Sequence, residues 1–394
     1  MVSAGPGPPV VAAPAPDFSF LARLADPGAP AAELTARAAA VRDWPNFVEQ
    51  ANTHGLLPLL NRWIAAERPV AVPPEVARDV RLRTQALALG GLRITGELIS
   101  LTRILEAAGV PVLALKGPAL AVRAYGDVAL RPQQDVDLLL HERDVDRALA
   151  ALAPAGYERV KALDSGQEAA FREVEYHHAL SGPSGISVEL HWGIIKRQFG
   201  LRVEESFWWT DPHQVPLGGT QVRSLSNEAT LVYLAIHGGK HEWHHLRWIG
   251  DVAGVARLTP MDWERVADTS VRLGTMRMTR LALALAADLL GAELPEPAMQ
   301  IARADSAVAP LIQAVRARVE TEQPPGFVES TRFQLALRER IRDKASFVFH
   351  HAVTPNIDDL ATASLPAAWR WLYHLLRPVR LARKWMGPGV KSSP

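Results

Sequence analysis

A chain of 394 residues with 48% apolar and 22% charged residues has the make-up of a soluble globular protein and length enough for two or three domains. Its 43 Lys and Arg nearly balance 42 Asp and Glu, giving a formal net charge of +1. No global field therefore draws it onto nucleic acid, and no stable nucleic-acid binding is expected. With no cysteine it has no disulfide framework and no thiolate metal site. That suits a cytoplasmic protein and leaves carboxylate and imidazole as the only strong metal ligands.

Residues 1–16 are rich in proline and lack the basic-then-apolar pattern of a secretory signal, so they read as a disordered tail. From 17 to 82 the apolar residues return at helical spacing (Leu21, Leu24; Phe47, Ala51; Leu56, Leu60, Ile64) until the PVAVPP stretch interrupts them. This is expected to be an N-terminal helical region. A long helix through LISLTRILEAAG follows, with Gly109 where a C-terminal cap belongs. Between 83 and 225 the elements alternate. A strand at Val112–Leu115 leads to a short helix at Pro118–Tyr125, a strand at Val136–Leu140 and a helix from Asp144 to Ala153 capped by that aspartate. EYHHALSGPSGISVELHW then reads as a hairpin added to the same sheet. Ser226 caps a new helix, and the pattern stays helical from there, with 226–300 as a helical domain beside the cleft and 301–394 as a C-terminal helical region. The most apolar run, LALALAADLLGAEL, is interrupted by Asp288 and is too short to cross a bilayer.

Chemistry concentrates in LALKGPALAVRAYGDVALRPQQDVDLLL. In a strand, alternate side chains share a face, so Asp135 and Asp137 project together while Val136 and Leu138 face a core. Two anions held this close need a proton, a cation or a metal ion. Hard carboxylate oxygens suit Mg²⁺. Glu189 becomes the third acid if its strand lies beside Val136–Leu140. Gly117 follows a strand and opens a helix, where backbone can approach a phosphate, and Lys116, Arg123 and Arg131 add positive charge nearby. A bare Asp-x-Asp is better explained by strand-end acids capping turns or paired with Arg131 and Arg143; the agreement of strand, turn, third acid and order favours a metal site.

LALKGPALAVRAYGDVALRPQQDVDLLL, followed by VELHW and HGGKHEWHHLRWIGDVAGV, resembles the uncharacterised nucleotidyltransferase family within the DNA polymerase beta nucleotidyltransferase superfamily, from about Ala88 to Arg257. The resemblance implies an α+β fold, with a small mixed β-sheet core flanked by N-terminal and C-terminal helical domains. It implies transfer of a nucleoside monophosphate from an NTP, with ATP as the expected donor, to a hydroxyl acceptor, and release of pyrophosphate. Asp135, Asp137 and Glu189 would hold two Mg²⁺ ions, with Glu189 also activating the acceptor. Lys116, Gly117 and Arg131, and Lys240 and His241 from the helix beside the sheet, would contact the nucleotide. Pro118 stands where the superfamily has serine. Two other readings fit the same residues: a binding module that has lost turnover, and a toxin-like enzyme that modifies tRNA or protein. The acceptor and oligomeric state are not encoded legibly.

Four further features stand apart. His237, His241 and His245 recur every four residues but lack the HExxH pattern, and Gly238 and Gly239 weaken a helix there, so a packed His/Trp surface or a cleft lining is expected before a zinc site. Asp251 lies four residues after Arg247, the spacing of a helical ion pair. His191 shares a strand face with Glu189, where it either touches a phosphate or is a satisfied core residue. The basic, aromatic end with Arg370, Arg377, Arg380, Arg383 and Lys384 fits a membrane surface or an anionic partner, and equally a helix docked on its own protein.

Overall fold

The computed structural model describes residues 16–161, 165–201 and 204–354. Most of the N-terminal tail and all of the basic C-terminal stretch lie outside the described residues. The seven strands are β1 (Leu113–Ala114), β2 (Asp135–Leu139), β3 (Glu158–Arg159), β4 (His177–Ser181), β5 (Ser187–His191), β6 (His213–Leu217) and β7 (Thr220–Ser224). They form one mixed sheet in the order β3-β4-β5-β2-β1-β7-β6. Helices α1 (Pro16–Leu24), α2 (Ala31–Ala38), α3 (Trp44–Thr53) and α4 (Leu57–Glu67) precede α5 (Pro74–Ala107). Within the sheet domain lie α6 (Pro118–Tyr125), α7 (Val145–Leu152), α8 (Ser165–Val174) and α9 (Glu205–Trp208). After β7 come α10 (Asn227–Lys240), α11 (Leu246–Ala256), α12 (Trp263–Leu273), α13 (Met276–Ala284), α14 (Glu296–Arg303), α15 (Val308–Thr321), α16 (Phe327–Ala336) and α17 (Ile341–Val353). The α+β class expected from the sequence is what forms.

Strand alternation sends the two faces of the sheet into different cores. Val136, Leu138 and Leu140 pack with Val188 and Leu190 against Leu98, Leu101 and Leu105 of α5 and Val145, Ala148 and Leu152 of α7. Leu139, on the opposite face, joins the larger core built from the N-terminal helices and α10–α15. The face that carries the acids is thus roofed further along by the helical part of the chain. No helix among the described residues is long and apolar enough to cross a membrane.

Several local expectations hold. Pro118 occupies the first turn of α6, and the Ser226 hydroxyl accepts from the Ala229 amide at 3.1 Å to cap α10. Gly109 follows α5 with a φ of +68°, the left-handed conformation that ends helices.

Others are corrected. Asp144 does not cap α7 through its side chain: a 3₁₀ turn precedes the helix, and the carboxylate accepts from Arg147 at 2.8 Å instead. α5 runs unbroken through residue 82 and α14 through residue 300. The β6–β7 hairpin was not anticipated. Its signal is in the sequence: Gly218 and Gly219, with φ of +53° and +77°, make the two-residue turn that joins Leu217 to its partner Thr220.

Candidate active site

Strand β5 lies beside β2, parallel, with Asp135 opposite Ser187 and Asp137 opposite Glu189. This register is the condition under which three acids meet. Ligand oxygens from Asp135, Asp137 and Glu189 lie within 4.8 Å of one another. Asp137 is nearly inaccessible at 4% exposure, whereas Asp135 and Glu189 remain partly open at the cleft.

Cations already within the chain answer this negative charge. Lys116 Nζ lies 3.1 Å from Asp137 Oδ2 and 3.3 Å from Asp135 Oδ2. His191 Nε2 bridges Asp137 Oδ1 at 3.2 Å and Glu189 Oε2 at 3.1 Å. Burial works against the Asp137 charge, yet Lys116 and His191 outweigh it and hold that carboxyl well below the usual range. Burial and the neighbouring Asp137 push Asp135 up. Burial also opposes the Glu189 charge, but the His191 contact prevails and lowers it. His191 itself is raised, because its two carboxylate partners overcome desolvation. The reading of His191 as either phosphate contact or satisfied core residue resolves toward the acids in this state.

The cleft above these residues has a volume of about 320 Å³. Of the residues that the sequence singled out for the site, Asp135, Asp137, Glu189, Lys116, Gly117, Arg131, Lys240 and His241 line it. Gly117 has φ +66° and ψ −136° and stands before the first turn of α6, with Gln133 Oε1 only 3.6 Å from where a Cβ would be. The sign of φ, more than the space, requires glycine. Gly117→Ala is expected to destabilise the fold by about 1–3 kcal/mol and to weaken nucleotide binding more than that, which paired urea unfolding and ATP titration would separate.

The opposite wall is helical. Tyr233, His237 and Lys240 project from successive turns of α10, and Lys240 Nζ donates to the Tyr176 hydroxyl at 2.7 Å. Burial lowers Lys240 to about 8, so it is still largely charged at neutral pH. The three spaced histidines do not share one helix face, because α10 stops at Lys240 and the chain turns before α11. Glu242 and Trp243 take left-handed φ values of 52° and 58° there. The Trp243 ring folds back onto Gly238, where a Cβ would lie 2.4 Å from it. The glycines therefore serve packing. His237, His241 and His245 instead surround Trp248, with ring centroids at 5.3, 5.4 and 4.9 Å, as the expectation of a His/Trp surface has it.

Arg131 is committed elsewhere than expected. Its Nε and Nη2 bind Asp251 Oδ1 and Oδ2 at 2.8 and 2.9 Å, and the Tyr125 hydroxyl donates to Oδ1 at 2.7 Å. Asp251 thus does not pair with Arg247, whose Nη1 donates to the Pro132 carbonyl at 2.8 Å. Asp251 faces inward from α11 toward α6, and a bidentate guanidinium matches a buried carboxylate better than an i,i+4 partner on the same helix. Arg123, unlike Arg131, does not line the cleft and ties α6 to the start of α10 through Leu225 O and Asn227 Oδ1. Sequence reasoning did not single out Tyr176, Tyr233 or Gln133, which also line the cleft. Tyr176 lies at the start of the expected hairpin, EYHHAL, and was the one with a readable position.

Solved structures similar to parts of the chain include the solution structure of the antibiotic-resistance factor ANT(2'')-Ia, at 15% identity over 45% of this chain and 89% of that one, with a TM-score of 0.31. A crystal structure of ANT(2'')-Ia in complex with adenylyl-2''-tobramycin is similar at 16% identity over 57% of this chain and 97% of that one, with a TM-score of 0.27. No curated protein matches. The sequence match is broader: a family described as uncharacterised nucleotidyltransferase covers residues 40–291, from the N-terminal helices through the sheet and cleft to just past α13. With well over half of its length matched, the chain belongs to this uncharacterised nucleotidyltransferase family.

Proposed function

We propose that the chain is a Mg²⁺-dependent nucleotidyltransferase that moves a nucleoside monophosphate from an NTP, with ATP as the donor to test first, to a hydroxyl acceptor and releases pyrophosphate. The observation that carries this reading is the meeting of Asp135, Asp137 and Glu189 at one end of a cleft whose other walls bear Lys116 and Lys240.

The residues fit a hard divalent cation. The donors are all carboxylate oxygens, and buried Asp137 Oδ2 is answered by Lys116 Nζ at 3.1 Å, a cation where a metal ion would sit. Asp135, Asp137 and Glu189 would hold the metal, which when bound neutralises charge on the reacting phosphate and acidifies the acceptor hydroxyl.

The chain's own groups account for the remaining work. Glu189 is ionised at neutral pH and partly open to the cleft, so it accepts the proton as the acceptor oxygen bonds to the α-phosphorus. The bond to the β-phosphate oxygen breaks and pyrophosphate departs. Lys116, displaced from the carboxylates, has the reach to follow the triphosphate. Gly117 allows the backbone close to it. Lys240 and His241 face the donor from the helical wall, while Tyr176 and Trp248 offer flat aromatic surfaces. Arg131 supports the wall through Asp251 rather than presenting a free guanidinium.

The test is pyrophosphate release from each NTP with Mg²⁺ across a panel of sugar, peptide, protein and RNA acceptors, alongside thermal unfolding with ATP and Mg²⁺. Release that depends on both metal and acceptor is expected. Stabilisation by ATP and Mg²⁺ without release on any acceptor would favour a binding module, and no stabilisation at all would defeat the proposal.

A further inference from the structure

On the same face of the sheet, next to the three acids, a second set of donors meets. His177 and His191 are directly opposed across the antiparallel β4–β5 pair. Their rings stack with centroids 5.0 Å apart at 27°. Both direct Nε2 at Glu189: His191 Nε2 is 3.1 Å from Oε2 and His177 Nε2 is 3.8 Å from Oε1. One ligand atom from each of the three residues falls within 4.8 Å of the other two. His191 is buried, whereas His177 and Glu189 keep 21% and 28% of their side chains exposed, which leaves an entry path and room for a further ligand.

From this geometry we infer a second metal site, made by His177, His191 and Glu189, that takes a borderline divalent cation of the zinc or cobalt type. Two imidazoles and one carboxylate, with one position left open, are the donor set of many zinc sites. Imidazole selects such ions over Mg²⁺, which prefers the all-oxygen set next door. Both Nε2 atoms must be free of protons to ligate, so binding of the cation displaces the proton that His191 Nε2 holds between Asp137 and Glu189. The Nδ1 atoms of both rings are buried and have no partner among the described residues. Ligating histidines in tight sites are usually anchored through that second nitrogen, so this site is expected to be exchangeable rather than structural.

Glu189 belongs to both sets. An ion on the two histidines therefore competes for, or shares, the carboxylate that the proposed transfer reaction uses. The inference goes beyond that reaction and depends on it only through this shared residue.

Cobalt(II) added to the full-length, metal-stripped protein is the probe, because its visible spectrum separates a four-coordinate nitrogen-containing site from an all-oxygen octahedral one. The wild type is expected to give the intense four-coordinate band. His177→Phe, which keeps a ring in the stack and removes the ligand nitrogen, should lose the band or weaken cobalt binding at least about tenfold. Asp135→Asn should retain it. A weak octahedral spectrum in the wild type, or a band that survives His177→Phe, overturns the inference. If Asp135→Asn abolishes the band and His177→Phe does not, the cobalt sits on the three carboxylates; the inference fails while the proposed transferase site stands. Conversely, a His177-dependent band in a protein that shows no stabilisation by ATP and Mg²⁺ upholds the inference and removes the transferase reading.

Discussion

Asp137→Asn is expected to reduce nucleotidyl transfer by about a thousandfold or more, equivalent to about 4 kcal/mol of transition-state stabilisation, while the protein stays folded. The size follows from its position. Asp137 is the most enclosed of the three acids and stands opposite Glu189 across the β2–β5 pair. Its buried Oδ2 faces Lys116 Nζ at 3.1 Å. An amide there keeps the shape but lacks the charge on which metal binding depends.

Folding should survive because each cation keeps a second partner: Lys116 has Asp135 at 3.3 Å and His191 has Glu189 at 3.1 Å. The expected loss of stability is about 1–2 kcal/mol. The measurement is the initial rate of pyrophosphate release for wild type and variant at saturating Mg²⁺, with urea unfolding in parallel. A variant that transfers at more than a tenth of the wild-type rate would remove Asp137 from the chemistry.

The largest effect on stability is expected at a residue that does not line the cleft. Asp251 is fully buried and is bound by Arg131 through two hydrogen bonds and by Tyr125 through a third. Asp251→Ala leaves the Arg131 guanidinium buried with no counter-charge, which costs about 3–5 kcal/mol out of a typical total of about 5–15 kcal/mol. Tyr125→Phe removes one neutral donor from a carboxylate still held by Arg131 and should cost only about 1–2 kcal/mol. Urea unfolding of the two variants measures the difference. Equal effects would mean that the ion pair is not what holds this contact.

Asp251→Ala should also lower nucleotide affinity, since Arg131 leads directly into Pro132, Gln133 and Gln134 along the cleft wall. The closeness of α11 that the pair requires is written into two glycines. A Cβ at Gly250 would lie 2.2 Å from the Ala25 carbonyl oxygen, and one at Gly254 would lie 2.8 Å from the Ala124 carbonyl oxygen.

What the sequence determined by itself is the local part. The period of two through DVDLL puts Asp135 and Asp137 on one face and Val136 and Leu138 on the other, because strand geometry allows nothing else. The Lys-Gly-Pro turn, the α6 limits and the Ser226 cap follow from backbone preferences that act within a few residues. Tertiary structure decided everything that depends on which distant segments meet. The β2–β5 register turned three scattered acids into one site, and the β4–β5 pairing brought His177 and His191 together at Glu189. It also gave Asp251 to Arg131, 120 residues away, instead of to Arg247 on its own helix. A helical repeat fixes which side chains are neighbours on one element. Which of them keeps its partner is settled by burial, since a charge removed from water takes the counter-charge with the best geometry in the packed core, wherever in the chain it arises.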